Sequence, residues 1–225
     1  LTEIINVEQI VPLIFSVSHK FSKTELQKAL HLFVVWSVRL MVGNTGKAGR
    51  LDKQYADLAN DVGSESKTTA RELRESLKDK VPSDDAFRRN FKQAKASNSK
   101  LARYYLLSLE KHVHPNTGEL VPSTDVAKVN WEHILPKSYN KNLGVTFAEH
   151  ADLFSRLGNQ TIMNSKWNEQ EGDSAFSAKK LVYAESKIGL TNSLIKYDKF
   201  EREQIDLRQS ELAEHAPKVW SLSLK

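Results

Sequence analysis

Apolar residues recur at helical spacing through the first 113 residues of the chain. The most apolar of these segments follows Ser22, which is spaced to form a capping box with Glu25, and it continues to Gly43. Because its apolar positions cover most of the circumference of a helix, we predict that it is the central, buried helix of its domain. The same spacing predicts further helices over residues 12–20, 51–63, 70–81, after Ser83, and over residues 99–112.

The pattern changes in the second half of the chain. Residues 129–135 are typical of a short strand that Pro136 ends, and residues 157–163 are typical of a turn followed by a second strand. A helix that begins at residue 164 or 165 would carry Asn168 on its first or second turn. Later helices are predicted over residues 176–183 and after a capping box formed by Asp198 and Glu201.

The turn at residues 116–118 is the expected boundary between two domains. We predict a helical domain over residues 1–115 and a second domain over residues 116–225, with a C-terminal helix that packs back on it. The chain has 225 residues, of which 40% are hydrophobic and 27% charged, so it can bury a real core. The predicted fold class is therefore mainly α with a small α+β element.

The chain has no cysteine, which excludes disulfides, a thiolate zinc site and a cysteine nucleophile, and favours a cytoplasmic location. The longest apolar run, residues 30–42, is interrupted by Arg39 and is too short to span a bilayer, so we expect no membrane association. The first residue is Leu rather than Met, and no secretory signal is visible, so we expect a fragment of a longer protein.

Positive charge is concentrated in one part of the chain. The whole sequence has 33 basic and 28 acidic residues, a net charge of +5, whereas residues 67–103 alone have eleven basic and five acidic residues, a net charge of +6. Such a run is either a solvated helical surface or a face that follows a phosphate backbone. Composition alone leaves both interpretations open.

The predicted strand carries adjacent Glu132 and His133, whose side chains must point to opposite faces of the strand. A carboxylate can hold a hard metal ion, and an imidazole on the other face can take a proton from water. An edge strand with a solvated Glu and a capping His is the simpler interpretation. The downstream residues Asn159 and Asn168 favour the catalytic interpretation of the pair. Together with Glu132 and His133 they supply two oxygen ligands, a base and a side chain that orients the base.

The order strand, Glu-His, loop, Gly-Asn, strand and helix resembles the ββα-metal, or HNH, nuclease arrangement in its His-Asn-Asn form. The segments EHILPKS, LGNQTIMN and KWN, a Phe followed by two lysines, and a last helix with the pattern I-x-x-R-x-x-x-L resemble the C-terminal nuclease half of GmrSD-type restriction proteins. SspE-like phage-defence proteins belong to the same broad group. The helical region also resembles this group, through VRLMVGNTG, FRRNF and ARYYLLSLE.

The resemblance implies a metal-dependent DNA endonuclease or nickase that restricts phage or modified DNA. It implies that His133, Asn159 and Asn168 are catalytic and that Glu132 and Asn168 bind the metal. An Asn rather than a His as the last ligand favours an oxygen-ligated Mg²⁺, with Mn²⁺ or Ni²⁺ as alternatives. It also implies an upstream nucleotide-hydrolysing, DNA-sensing part, for which this chain has no Walker-type loop.

Basic residues near the predicted site and in the basic run are expected to contact DNA phosphates: Arg88, Arg89, Lys92, Lys137, Lys166, Lys179, Lys180 and Arg208. Two other functions remain open. One is a catalytically idle module that binds DNA or docks a partner, and the other is an RNA-cleaving toxin.

Overall fold

The computed structural model describes residues 7–43, 51–96, 98–115, 129–136, 138, 146–164 and 175–224. The chain divides into two compact units, and the first is assembled from two separate segments, Leu1–Asn90 and Trp220–Lys225. The second unit is Phe91–Val219. The division at residue 90 does not coincide with the predicted boundary at residue 115, because the helix between them has its contacts with the strands and the last helix.

The first unit contains the helices predicted from the hydrophobic pattern: α1 (Val11–Lys20), α2 (Lys23–Val42), α3 (Asp52–Gly63), α4 (Ala70–Leu77) and α5 (Asp84–Phe91), whose last residue begins the second unit. Helix α2 is buried along most of its length, as expected for a central helix. Within it, the fully buried Arg39 donates to the carbonyls of Trp220 and Pro82 and to the carboxylate of Asp84.

The predicted capping box at the start of α2 forms only in part. Ser22 accepts a hydrogen bond from the backbone N–H of Glu25, so it does cap the helix. The Glu25 carboxylate instead accepts a 2.8 Å hydrogen bond from the backbone N–H of Ala70, at the start of α4. This carboxylate therefore satisfies the first turn of a neighbouring helix.

The second unit contains α6 (Ser99–Val113), β1 (Val129–His133), α7 (Phe147–Phe154), a 3-10 turn (Leu157–Asn159), β2 (Gln160–Asn164), α8 (Phe176–Ala184), α9 (Gly189–Asn192), a second 3-10 turn (Ser193–Lys196) and α10 (Arg202–Val219). The two strands pair antiparallel, with Glu132 opposite Thr161 and His133 opposite Gln160. The mainly α class with a small two-stranded sheet is thus confirmed. The predicted helix carrying Asn168 lies outside the described residues.

The last helix begins later than predicted. Asp198 and Glu201 do not form a capping box: Asp198 lies 3.4 Å from the ammonium of Lys180, and the side chain of Gln204 accepts from the N–H of Glu201. Helix α10 then begins at Arg202. The buried core around the strands joins residues of β2, α7, α8 and α10, the two residues that follow β1, and residues of the segments between these elements: Ile134, Leu135, Leu153, Met163, Tyr183, Leu194, Phe200 and Ile205.

None of the helices that the structure describes combines the length and the apolar character needed to cross a lipid bilayer.

Candidate functional site

Strand β1 carries Glu132 on its buried face. The Glu132 side chain is only 6% exposed, and one of its carboxylate oxygens accepts a 2.5 Å hydrogen bond from the ammonium of Lys179 on α8. Lys179 is itself fully buried and also donates to the carbonyl oxygen of His133, at 2.7 Å. The acid of the predicted pair therefore has an internal cation, and the same cation fixes the backbone of the next residue.

The imidazole of His133 lies against two aromatic rings. Its centroid is 4.0 Å from that of Phe154 at an interplanar angle of 13°, and 4.4 Å from that of Trp131 at 52°. Trp131 and His133 are two positions apart on a strand and so share a face, opposite to that of Glu132. Stacking on Phe154 fixes the plane of the imidazole and thereby restricts the directions in which its nitrogens point.

Asn159 is fully buried and holds the chain that follows His133. Its side-chain oxygen accepts a 2.7 Å hydrogen bond from the N–H of Leu135, and its backbone oxygen accepts a 2.9 Å hydrogen bond from the N–H of Ile134. Its side-chain amide lies 3.5 Å from the carbonyls of Leu135 and Phe154. The side chain of Asn159 is predicted to orient the His133 ring. In the structure Asn159 contacts the backbone of the residues that follow His133.

A second histidine fixes the same segment one residue further on. A ring nitrogen of His150, on α7, lies 2.7 Å from the carbonyl oxygen of Pro136, and this His is buried. The end of β1 is therefore held at three successive points, by Lys179, Asn159 and His150. Such support restricts the position of Glu132 and His133, as a reactive centre requires.

Helix α10 packs closely on the Leu157–Asn159 turn. One guanidinium nitrogen of Arg208 donates to the carbonyls of Leu157, Gly158 and Gln160, and burial lowers the pKa of Arg208 to about 10. The side-chain oxygen of Gln209 accepts a 2.5 Å hydrogen bond from the N–H of Gly158. A Cβ at position 158 would lie only 2.5 Å from the carbonyl oxygen of Ile205, so this close approach requires glycine.

Two of the cations predicted to contact DNA are buried. Lys179 is 0% exposed and Arg208 is 3% exposed, and both have internal hydrogen-bond partners. Either side chain would have to give up those partners to reach a phosphate. We therefore remove Lys179 and Arg208 from the set of expected DNA contacts and assign them to the support of the site.

The other predicted DNA contacts are placed differently. In the first unit, Arg89 is exposed and Arg88 forms a 2.7 Å ion pair with Asp85. In the second unit, Lys92 is exposed and Lys180 is half-buried. Lys137 and Lys166 lie outside the described residues. Thus Arg89 and Lys92 are exposed on their own units, whereas Arg88 and Lys180 are half-buried beside acidic partners.

The predicted metal ligands can be compared with the structure only at Glu132, since Asn168 lies outside the described residues. No group of three or more His, Asp or Glu side chains in the described parts of the chain is arranged to hold a metal ion. A carboxylate beside a histidine fits a hard cation in the type of donor atom. Because Lys179 is bound to one oxygen of Glu132, a cation would need the other oxygen or would have to displace the ammonium.

Sequence reasoning missed several residues that shape the site. The sequence pattern assigns no role to Phe154, which stacks on His133, or to His150, which contacts the carbonyl of Pro136. Gln209 was not singled out, although its amide bonds Gly158 on one side and the carbonyl of Phe91 on the other. No short-range pattern marks these residues, because each acts on a segment distant in sequence.

Comparison with known proteins identifies the family of the chain. Residues 81–215, more than half of the 225-residue chain, match the family described as GmrSD restriction endonucleases, C-terminal domain. No curated protein matches the chain. The matched range contains both strands, the Leu157–Asn159 turn and most of α10. The chain therefore belongs to the C-terminal domain family of the GmrSD restriction endonucleases.

Proposed function

We propose that this chain is a metal-dependent DNA endonuclease or nickase of the HNH type. Family membership indicates an endonuclease role in restriction of phage, with DNA as the substrate. The observation that carries the finer proposal is the end of β1, where Glu132 and His133 point to opposite faces and the backbone is fixed at successive residues. The resemblance also supports a separate nucleotide-hydrolysing, DNA-sensing part as a partner.

In this proposal His133 is the general base. Neutral imidazole accepts a proton from the water that attacks the phosphodiester, and the Phe154 stack keeps the ring in one plane while this occurs. Asn159 acts on the base through the backbone of Ile134 and Leu135. Glu132 and Asn168 would hold a divalent cation, Mg²⁺ first, which supplies charge neutralisation at the scissile phosphate.

The exposed cations support DNA as the substrate. Arg89 and Lys92 are exposed, and Arg88 and Lys180 reach the surface of their units. Contacts from such side chains go to phosphates, so binding is expected to depend weakly on base sequence. Recognition of a modification or a site is then expected to come from the separate sensing part.

The direct test is incubation of supercoiled plasmid with the protein and Mg²⁺, Mn²⁺ or Ni²⁺, with a chelator control. Nicked or linear product that requires the metal is the expected result. Excess Mn²⁺ should partly rescue Glu132→Ala and Asn168→Ala, because a ligand acts through metal occupancy. It should not rescue His133→Ala, since a base acts through proton transfer. Absence of cleavage with every metal would contradict the proposal.

One observation favours a second candidate, a catalytically idle module that binds DNA. The contact between Glu132 and Lys179 neutralises the acid inside the protein without a metal ion. An idle module would bind duplex DNA, show no metal-dependent heat of binding in calorimetry and leave the plasmid intact. The same plasmid and calorimetry experiments therefore separate the two functions.

A further inference from the structure

Two adjacent residues of α10 hold the turn that carries Asn159. Arg208 donates to three carbonyls, those of Leu157, Gly158 and Gln160, at 3.3, 2.9 and 2.7 Å. Gln209 accepts from the N–H of Gly158 and donates to the carbonyl of Phe91 at 2.6 Å. The turn is thereby bonded to the helix on both its N–H and its C=O groups.

The same contacts lead to the candidate base. Asn159 is the last residue of the turn, and it accepts the N–H groups of Ile134 and Leu135, the two residues that follow His133. A displacement of the turn would move Asn159, and with it the end of β1. Every residue on this route from Gln209 to Ile134 is buried, so water cannot replace the lost hydrogen bonds.

Burial of Arg208 is hard to explain by packing alone. Its guanidinium is 3% exposed, and no described carboxylate lies within ion-pair distance of it. Its second terminal nitrogen also has no hydrogen-bond partner among the described residues. A buried charge of this kind is costly compared with an apolar side chain of similar size, so core packing alone would favour the apolar residue. This charge holds the three carbonyl groups of the turn.

We propose that Arg208 and Gln209 are positioning residues of the nuclease centre, which act through Asn159 on the backbone that carries His133. This inference rests on the proposed function. It replaces the phosphate-contacting role that the sequence suggested for Arg208. Neither side chain touches the reacting atoms, so both are expected to change the rate of the chemical step and not the binding of DNA.

The test compares Gln209→Met, Arg208→Met and Arg208→Lys with Leu212→Ala. Leu212 is buried on the same helix, one turn further on. Amide hydrogen exchange at Ile134 and Leu135 reports the support of β1 without requiring activity. The rate constant kcat and KM for plasmid nicking report the chemistry.

For Gln209→Met and Arg208→Met we expect faster exchange at Ile134 and Leu135, a kcat lower by roughly 10-fold to 100-fold, and an unchanged KM. Arg208→Lys should recover part of kcat, because an ammonium can donate to the same carbonyls. Leu212→Ala should lower the melting temperature and leave kcat near the parent value at a temperature where it is folded.

Three outcomes would overturn the inference. One is unchanged exchange at Ile134 and Leu135 in both methionine variants. Another is a loss of kcat in Leu212→Ala as large as theirs. The third is an inactive parent protein, which contradicts the proposed function itself and leaves Arg208 and Gln209 as structural residues only. If Arg208→Met does not fold, the inference is tested with Arg208→Lys and Gln209→Met.

Discussion

At the scale of single residues, His133 is supported by contacts that do not depend on its nitrogens. Its ring stacks on Phe154, and its carbonyl accepts from Lys179. We predict that His133→Ala lowers the nicking rate by about 100-fold to 10,000-fold, because a general base contributes to the transition state. DNA affinity should be nearly unchanged, as measured with a duplex in the absence of metal.

The matched control for this prediction is His31→Ala, which removes an exposed histidine of the first unit. It should nick plasmid at the parent rate. A purified His133→Ala protein that nicks as fast as His31→Ala would show that His133 is not the base.

Two neighbouring lysines allow a comparison at adjacent positions. Lys179 is buried against Glu132, whereas Lys180 is half-buried and lies 3.4 Å from the exposed Asp198. We predict that Lys179→Met lowers the free energy of unfolding by about 3–5 kcal/mol, because it leaves the Glu132 carboxylate buried without its cation. Lys180→Met should lower it by at most about 1 kcal/mol. Chemical denaturation measures both.

A double variant separates the lost ion pair from lost packing. Adding Glu132→Gln to Lys179→Met removes the buried charge and should recover part of the stability. Equal losses in Lys179→Met and Lys180→Met would mean that the buried contact contributes nothing to folding.

The sequence could place Glu132, His133 and Asn159 because their signals are local. A strand of period two divides its faces, and a Gly-Asn turn ends before the next strand. It could not reveal the pairing of Lys179 with Glu132, which are 47 positions apart. Lysine and arginine are rarely buried, so a cation near a predicted nuclease site is read as a phosphate contact. The burial of Lys179 and Arg208 disfavours that expectation at these two positions.

At the scale of elements, α7 carries both Phe154 and His150, and its start is closed by a capping box. Thr146 accepts from the N–H of Glu149, while the Glu149 carboxylate accepts from Thr146 and from Arg202. Hydrogen bonds from Thr146, first its backbone N–H and then its hydroxyl, with a further one from Arg202, lower the pKa of Glu149 below its ordinary value of 4.5. Thr146→Ala should lower the free energy of unfolding by about 0.5–2 kcal/mol, as measured by chemical denaturation.

The lowered pKa makes this cap dependent on pH. A carboxyl group whose pKa is depressed by folding contributes stability above its unfolded pKa, and that stability is lost as the pH falls through the folded pKa. Glu149→Ala should therefore melt at a lower temperature than the parent at pH 7, and the difference should vanish below the folded pKa. Melting temperatures of the two proteins over a series of pH values measure this, and a difference that stays constant at every pH would contradict the expectation.

Capping signals illustrate what sequence can and cannot settle about helix ends. The Thr-x-x-Glu pattern forms complete boxes at Thr69 and Thr146. A similar pattern at Ser22 gives only half a box, because Glu25 reaches the start of α4. The helices that the structure describes in the first unit follow from periodicity, but the partner of a capping carboxylate depends on which helices pack together.

At the scale of the whole molecule, DNA binding is expected to depend on the surface cations of each unit. Reversal of Arg88 and Arg89 to Glu should weaken duplex binding and flatten its salt dependence. If about four to six phosphates are neutralised, the slope of log affinity against log salt should be roughly −4 to −5 in the parent protein. Fluorescence anisotropy with a short duplex over a range of salt measures this slope.

The control carries the same change in net charge at other exposed positions of the first unit, Lys23→Glu with Lys53→Glu. It should retain the parent slope, apart from a small long-range effect. If both double variants bind with the same slope, residues Arg88 and Arg89 are only part of a solvated surface, which is the alternative that the composition left open.

The discontinuous first unit has a consequence for the order in which the protein folds during synthesis. The second unit is continuous in sequence, Phe91–Val219, so none of its internal contacts requires Trp220 or the residues after it. The first unit cannot, because Arg39 at its centre bonds the carbonyl of Trp220, and Phe87 packs edge-on against the Trp220 ring. A chain that ended at residue 219 would lack the Trp220 carbonyl, and the buried Arg39 would keep only its hydrogen bonds to Pro82 and Asp84. The first unit therefore needs a segment from after the second unit before the contacts around Arg39 are complete, whereas the second unit needs no segment from outside its own range.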